Sequence, residues 1–196
     1  MTIELSPIGN PHFLSIESME LFSEEECDRI VSTFNPEGWR PASVSDEDYG
    51  SGTVRPDIRS VLQQQLRLDS SNWPVSALAA AVGEINDRVF HFDVYGFDAL
   101  DYPAALRYES EVEDHFRRHA DSGASFPNRK LSCVVQLTPG DSYRGGDLVF
   151  PDAGVIAPRV QGTLIVFPSF LHHQVTPVVS GVRHVIVGWA GGPTFR

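Results

Sequence analysis

The chain has 196 residues, 41% hydrophobic and 21% charged, which is the make-up of one folded domain with a substantial core and excludes a disordered chain. Its formal net charge of −11 excludes a protein that grips phosphate backbones, so no nucleic-acid partner is expected. Residues Met1–Pro11 carry no charged-then-apolar leader and no apolar run reaches membrane-spanning length, so no membrane partner is expected either.

In chain order, Phe13–Met19 reads as a short strand. Ser23-Glu-Glu-Glu26 is a capping box, in which the Ser side chain accepts a first-turn amide and Glu26 reaches back to the Ser amide. Ile30, Val31 and Phe34 give the following helix, Glu24–Phe34, an apolar face, and Asn35-Pro36 stops it. Trp39–Val44 reads as a strand, and the acidic, Gly/Ser-containing Ser45–Thr53 as a loop. Ile58–Leu68 fits either a strand or a helix: Val61, Leu62 and Leu66 share a helical face, whereas Asp57-Ile-Arg-Ser60 also suits an extended chain. Trp73-Pro74 opens a second helix through about Phe90, with a stripe of Val75, Leu78, Ala79, Val82, Ile85 and Val89. Phe92–Phe97 and Ala104–Tyr108 read as strands, and from His115 onward nearly everything is strand and turn. The two cysteines, Cys27 in the first helix and Cys133 in a strand, have neither disulfide nor zinc spacing, which fits two apolar core residues in a reducing cytoplasm.

The most informative stretch is Leu164–Trp189. It reads as three strands, Thr163–Phe167, His173–Val178 and Arg183–Trp189, with a hairpin at Ser180-Gly181 that sets His173 and Arg183 on adjacent antiparallel strands facing one interior. A His and an Arg among aliphatic residues are costly to bury without a partner, and the partner an Arg asks for is a carboxylate. Upstream, His119-Ala-Asp121 places an imidazole and a carboxylate on one side of an extended segment. Two His and one carboxylate on one face of a metal leave three positions open, the arrangement of non-haem Fe(II) oxygenases. His119, Asp121 and His173 are therefore the candidate ligands, with His172 turned outward to the rim. An H-x-D pair alone is weak, but here an ordered set follows it: Arg129, Leu131-Ser-Cys-Val-Val-Gln-Leu137, Gly145-Gly-Asp-Leu148, Phe167-Pro-Ser169, His173, Arg183 and Trp189.

With those motifs, Tyr108–Trp189 closely resembles the prolyl 4-hydroxylase-like branch of the Fe(II)/2-oxoglutarate dioxygenases. The resemblance implies an α+β fold, a double-stranded β-helix (jelly roll) core buttressed by N-terminal helices, forming a single domain over 1–196. Residues 1–100 supply helical support and outer strands, and 101–196 the core with the metal site. It implies Fe(II), 2-oxoglutarate as cosubstrate and O2, with ascorbate a candidate reductant. Arg183 would hold the C5 carboxylate of 2-oxoglutarate, with Tyr108, Gln136 and Trp189 lining the cosubstrate site. Gln136 stands where some relatives have a Tyr. Between Tyr108 and His119 the family has a Gly, whereas Glu109-Ser-Glu-Val-Glu-Asp-His115 is acidic and Gly-free, a departure with no role assigned from the sequence. The family's halogenases lack the carboxylate ligand, so Asp121 implies hydroxylation, with CO2 and succinate as co-products.

Loop Ser45–Pro56 stands where relatives carry a lid. Tyr49, Arg55 and Arg129 are candidate contacts for a small-molecule or peptide substrate: peptidyl, amino-acid or natural-product. The oligomeric state is not legible. A cupin-type enzyme using another metal needs no Arg183, and a non-catalytic binding module needs no complete set of ligands plus anchor; those two features separate the readings.

Overall fold

The computed structural model describes residues 14–46, 50–68, 72–98, 101–123 and 125–194. The first strand, β1 (Glu17–Glu20), leads into α1 (Glu24–Ser32) through the expected capping box, with the Glu26 amide donating to Ser23 Oγ at 3.2 Å and the Ser23 amide to Glu26 Oε2 at 3.0 Å. The helix stops two residues before Phe34, where the Thr33 hydroxyl turns back to the Ile30 carbonyl at 2.6 Å.

The segment expected as one strand over Trp39–Val44 divides into β2 (Arg40–Pro41) and the start of β3 (Val44–Asp46). The segment expected as a loop over Ser45–Thr53 is instead a hairpin: β3 pairs with β4 (Gly50–Thr53), beginning with Val44 opposite Thr53. Two β-branched residues at its base and the left-handed Gly52 (φ 84°) suit that turn back despite the acidic composition. Tyr49 lies outside the described residues.

The ambiguous Ile58–Leu68 is extended, as β5 (Arg59–Ser60) and β6 (Leu62–Gln65). Next, α2 (Trp73–Ile85) continues through a single π-type turn, Asn86–Phe90, to a left-handed His91. Only the last two residues of the strand expected over Phe92–Phe97 pair, as β7 (Gly96–Phe97). The Asn86 side chain holds the Phe92 amide and carbonyl at 3.0 and 2.9 Å and keeps them from the sheet.

The remaining strands are β8 (Ala104–Glu109), β9 (His115–His119), β10 (Arg129–Gln136), β11 (Arg144–Gly145), β12 (Leu148–Phe150), β13 (Val155–Ile156), β14 (Thr163–Pro168), β15 (His173–Val175), β16 (Val178–Ser180) and β17 (Val182–Gly191). Antiparallel pairing gathers most of the strands into a major sheet, β1-β14-β10-β17-β8-β6-β2 with β7 also on β17, and a minor sheet, β13-β12-β15-β9-β5, with β11 and β16 as a separate pair. This is the double-stranded β-helix, and alternation of side chains sets its layers. Leu131, Cys133 and Val135 of β10 pack with Leu164 and Val166 of β14 against Cys27, Ile30, Leu78 and Val82 of the helices. From the opposite face Val134, Ile165, Phe167 and Val185 meet Leu148, Phe150 and Val175 of the minor sheet. Both cysteines are buried and unbridged, as expected.

The expected placement of His173 beside Arg183 is also overturned. His173 and Arg183 are not on adjacent strands: β15 pairs with β9 and β12 in the minor sheet, whereas β17 pairs with β8 and β10 in the major one. Pro177 has no amide to continue the β15 ladder, so the chain crosses from sheet to sheet, and β16 pairs only with β11. Gly145-Gly146 makes that crossing fit. A Cβ on Gly145 (φ 71°) would lie 2.0 Å from the Pro177 carbonyl oxygen, and one on Gly146 (φ 65°) 3.2 Å from Arg183 Cδ.

Among the described residues no helix is long and apolar enough to cross a membrane.

Candidate active site

The minor sheet carries the three candidate ligands. His119 ends β9 and pairs in register with His173, the first residue of β15. Asp121 is placed two residues beyond β9 by its amide, which donates to the Ser169 carbonyl at 2.9 Å. The side-chain donor atoms of the three lie within 4.8 Å of one another. Nε2 of His119 is 3.5 Å from Asp121 Oδ1, and Nε2 of His173 is 3.4 Å from Oδ2.

Both imidazoles are oriented from behind. Nδ1 of His119 faces the Arg117 carbonyl at 2.8 Å and Nδ1 of His173 the Leu171 carbonyl at 2.9 Å. A carbonyl only accepts, so each ring carries a proton on Nδ1 and turns Nε2 to the centre. Ser132 Oγ donates to Asp121 Oδ2 at 2.6 Å and lies 3.0 Å from Ser169 Oγ. With its single proton given to Asp121, Ser132 accepts from Ser169. Phe116 stacks on His119 at 3.5 Å between centroids, and Phe167 lies 4.7 Å from His173.

Burial pushes His173 down to about 4, so this imidazole is neutral at neutral pH. Burial pushes the Asp121 carboxyl up, but His173, His119 and Arg129 together outweigh it and hold it far below the usual carboxylate range. Two imidazoles and one ionised carboxylate on one side of a point fit a divalent iron with open positions opposite.

The major sheet carries the candidate cosubstrate residues. Arg183 is 1% exposed. Its Nε and Nη2 donate to the single oxygen Oε1 of Gln136 at 3.2 and 3.0 Å, while Gln136 Nε2 donates to the Pro158 carbonyl at 3.2 Å and fixes the amide's orientation. Nη1 of Arg183 is buried with no hydrogen-bond partner. A buried guanidinium N–H left orphaned fits an incoming carboxylate, which accepts at such forks. The Tyr108 ring lies 5.3 Å from the guanidinium carbon.

Tyr108, Trp189, Arg183 and the three ligands line one cavity of about 40 Å³ between the sheets. Through Arg59, Phe116, His119, Asp121 and Trp189 it shares walls with an outer basin of about 390 Å³.

Of the residues expected to meet substrate, the two that are described, Arg55 and Arg129, are not brought together. Arg129 is in the basin wall but committed: its guanidinium lies 3.7 Å from the Phe126 ring and 3.8 Å from the Trp189 ring, and it forks onto Asp101 at 2.6 and 2.7 Å. Arg55 forks onto Asp57 at 2.9 and 2.8 Å, away from the described cavity walls. His172 is exposed, 3.6 Å from Asp152.

The acidic segment after Tyr108 has a structural task. Asp114 is 2% exposed, accepts from the Glu109 amide at 2.9 Å and the Ser60 hydroxyl, and so ties the β8–β9 turn to β5. Its carbonyl receives the Val178 amide. The sequence reading assigned no task to Asp114, Ser169 or Arg59. The short polar side chain of Asp114 just before a strand was the one available turn signal.

The 2OG-Fe(II) oxygenase superfamily model matches residues 103–191, which contain all of these ligand and anchor positions. A PKHD-type hydroxylase of Shewanella baltica is 31% identical over 186 residues, covering 89% of this chain and 76% of that protein. One from Rippkaea orientalis is 37% identical over 90 residues, which is 45% of this chain but only 39% of the relative's length. Among solved structures, a Pseudomonas putida prolyl-4-hydroxylase superposes with TM-score 0.67 at 21% identity, covering 92% of this chain and 94% of that one. The viral collagen prolyl hydroxylase of Paramecium Bursaria Chlorella virus-1 gives 0.68 at 20%, covering 91% and 96%. At such identities the structural likeness speaks for the shared fold.

Proposed function

This chain belongs to the 2OG-Fe(II) oxygenase superfamily, and we propose that it hydroxylates an unactivated C–H bond of a peptidyl, amino-acid or small natural-product substrate, with CO2 and succinate as co-products. The observation that carries this reading is the convergence on one cavity of His119, Asp121 and His173 from the minor sheet and an orphaned Arg183 Nη1 from the major sheet. The family's cofactors are Fe(II), 2-oxoglutarate and O2. Bound Fe(II) activates O2 at the expense of 2-oxoglutarate.

The chain's own residues do the rest. His119 and His173 offer their Nε2 atoms and Asp121 an ionised oxygen, steadied from behind by the Arg117 and Leu171 carbonyls and the Ser132 hydroxyl. Arg183 holds the far carboxylate of 2-oxoglutarate with Gln136 fixing its fork, while Tyr108 and Trp189 shape that site. The rings of Phe116, Phe150 and Phe167 around the imidazoles exclude water. A carboxylate at position 121 leaves no ligand site for a halide in its place, so hydroxylation is the favoured outcome. Ascorbate is a suitable reductant for iron that oxidises without substrate.

The test is anaerobic titration of the metal-free protein with Fe(II) and then 2-oxoglutarate. A weak visible metal-to-ligand charge-transfer band is expected in the wild type and its loss in Asp121→Ala. Fe(II) uptake with no band overturns the assignment.

A further inference from the structure

We propose that Arg59 is the binding site for a carboxylate of the substrate, so that the enzyme acts on small acids rather than on their neutral analogues. This rests on the oxygenase reading above and specifies its substrate class.

Arg59 leads β5, the edge strand of the minor sheet, and its side chain is in the wall of both the inner cavity and the outer basin. It pairs in register with Phe116, and its guanidinium carbon lies 4.8 Å from the centroid of the ring that stacks on His119. A group bound there sits beside the proposed iron ligand without touching the Arg183 anchor on the opposite sheet. Only one of its five donors is bonded in the described structure: Nη1 donates to the Ser43 carbonyl at 2.9 Å, and Nε is buried with no partner. No carboxylate among the described residues comes within ion-pairing distance.

The other cations of the site are spoken for. Arg129 forks onto Asp101 between two rings, and two of the Arg183 donors are on Gln136. Burial pushes the Arg59 guanidinium down, Tyr108 and Asp121 only partly offset that, and Arg129 adds to it. A half-buried cation with no carboxylate in ion-pairing distance among the described residues, on a chain of net charge −11, is a feature that an arriving anion satisfies. Of the common anions, a carboxylate matches the guanidinium fork and fits beside a C–H bond aimed at the metal.

The test uses the full chain loaded with Mn(II) and N-oxalylglycine, so that the metal and anchor sites are both filled. Thermal melting and calorimetric titration compare free L-amino acids and simple carboxylic acids with their primary amides. Expected is at least one acid that binds, with its amide at least tenfold weaker. Arg59→Gln removes that preference and Arg59→Lys keeps part of it, while both variants retain the Mn(II) and N-oxalylglycine affinity of the wild type. Equal binding of acids and amides, or no acid bound at all, overturns the proposal. So does a loss of N-oxalylglycine affinity in Arg59→Gln, which makes Arg59 a cosubstrate residue. A wild-type protein that takes up neither Mn(II) nor N-oxalylglycine defeats the oxygenase reading itself, and is distinguished by failing before any acid is added.

Discussion

Gln136 faces Arg183 with its amide oxygen, accepting from Nε and Nη2 at 3.2 and 3.0 Å while its own nitrogen is held by Pro158. The neutral acceptor orders the fork without neutralising it. Gln136→Glu places a carboxylate in that position, which pairs with Arg183 and repels the cosubstrate. The expected result is a fall in 2-oxoglutarate affinity of about tenfold or more, equivalent to about 1.4 kcal/mol. Arg183→Ala should cost about a hundredfold, since it removes the charge itself. Titrating the charge-transfer band measures both, and unchanged Fe(II) affinity shows that the metal site is intact.

Ser132 reaches across from the major sheet to Asp121 Oδ2 at 2.6 Å. Ser132→Ala should weaken Fe(II) binding by about 10- to 100-fold, the usual effect of removing a group that orients a ligand. Competition with a metal-chelating dye measures this. Ser169→Ala, one hydrogen bond further back, should have a smaller effect in the same direction.

Asp114 affects stability rather than chemistry. Asp114→Ala leaves the Glu109 amide and the Ser60 hydroxyl without their acceptor in a buried turn, at a cost of about 2–3 kcal/mol. A chain of this length should then melt roughly 5–10 °C lower. Metal affinity measured at low temperature should be unchanged.

His184 gives an acid limb to the stability profile. It packs between Phe34 and Trp39, and burial lowers it from 6.5 to about 4, with Arg107 adding to the effect. Because the folded value is the lower one, the unfolded chain binds the proton first as pH falls. Stability from this group is therefore complete above about pH 6.5 and is lost progressively toward pH 4. The ring is partly exposed, so the loss is on the order of 1–2 kcal/mol. His184→Phe should flatten denaturant-midpoint profiles across that window; a slope as steep as the wild type's would assign the limb to other groups.

Much of this was legible from residue order. Ser23 and Glu26 announced α1, the Val75–Val89 stripe announced α2, and H-x-D with a distal His and Arg announced the site. What stayed hidden depends on contacts distant in sequence. A turn signal at Ser180-Gly181 reads as a hairpin, and only the place of Pro177 against Gly145, with β17 taken up by β8 and β10, sends the next strand to the other sheet. Arg59 could not be assigned a direction because its segment fitted two periodicities, and β9 pairing decides between them. Arg129 looked available for substrate because nothing in the order of residues foretells Asp101, 28 positions earlier, closing on it.

The division of the site between two sheets has a mechanical consequence. The two halves meet mainly through side chains, and one of the chain's several crossings between them runs through Pro177, packed against Gly145. A dicarboxylate gripped by Arg183 at one end and by metal on His119, Asp121 and His173 at the other is a cross-brace between the two walls. Metal and diacid together should therefore slow unfolding and proteolysis by more than the product of their separate effects, whereas a monocarboxylate chelator that never reaches Arg183 leaves the walls unbraced.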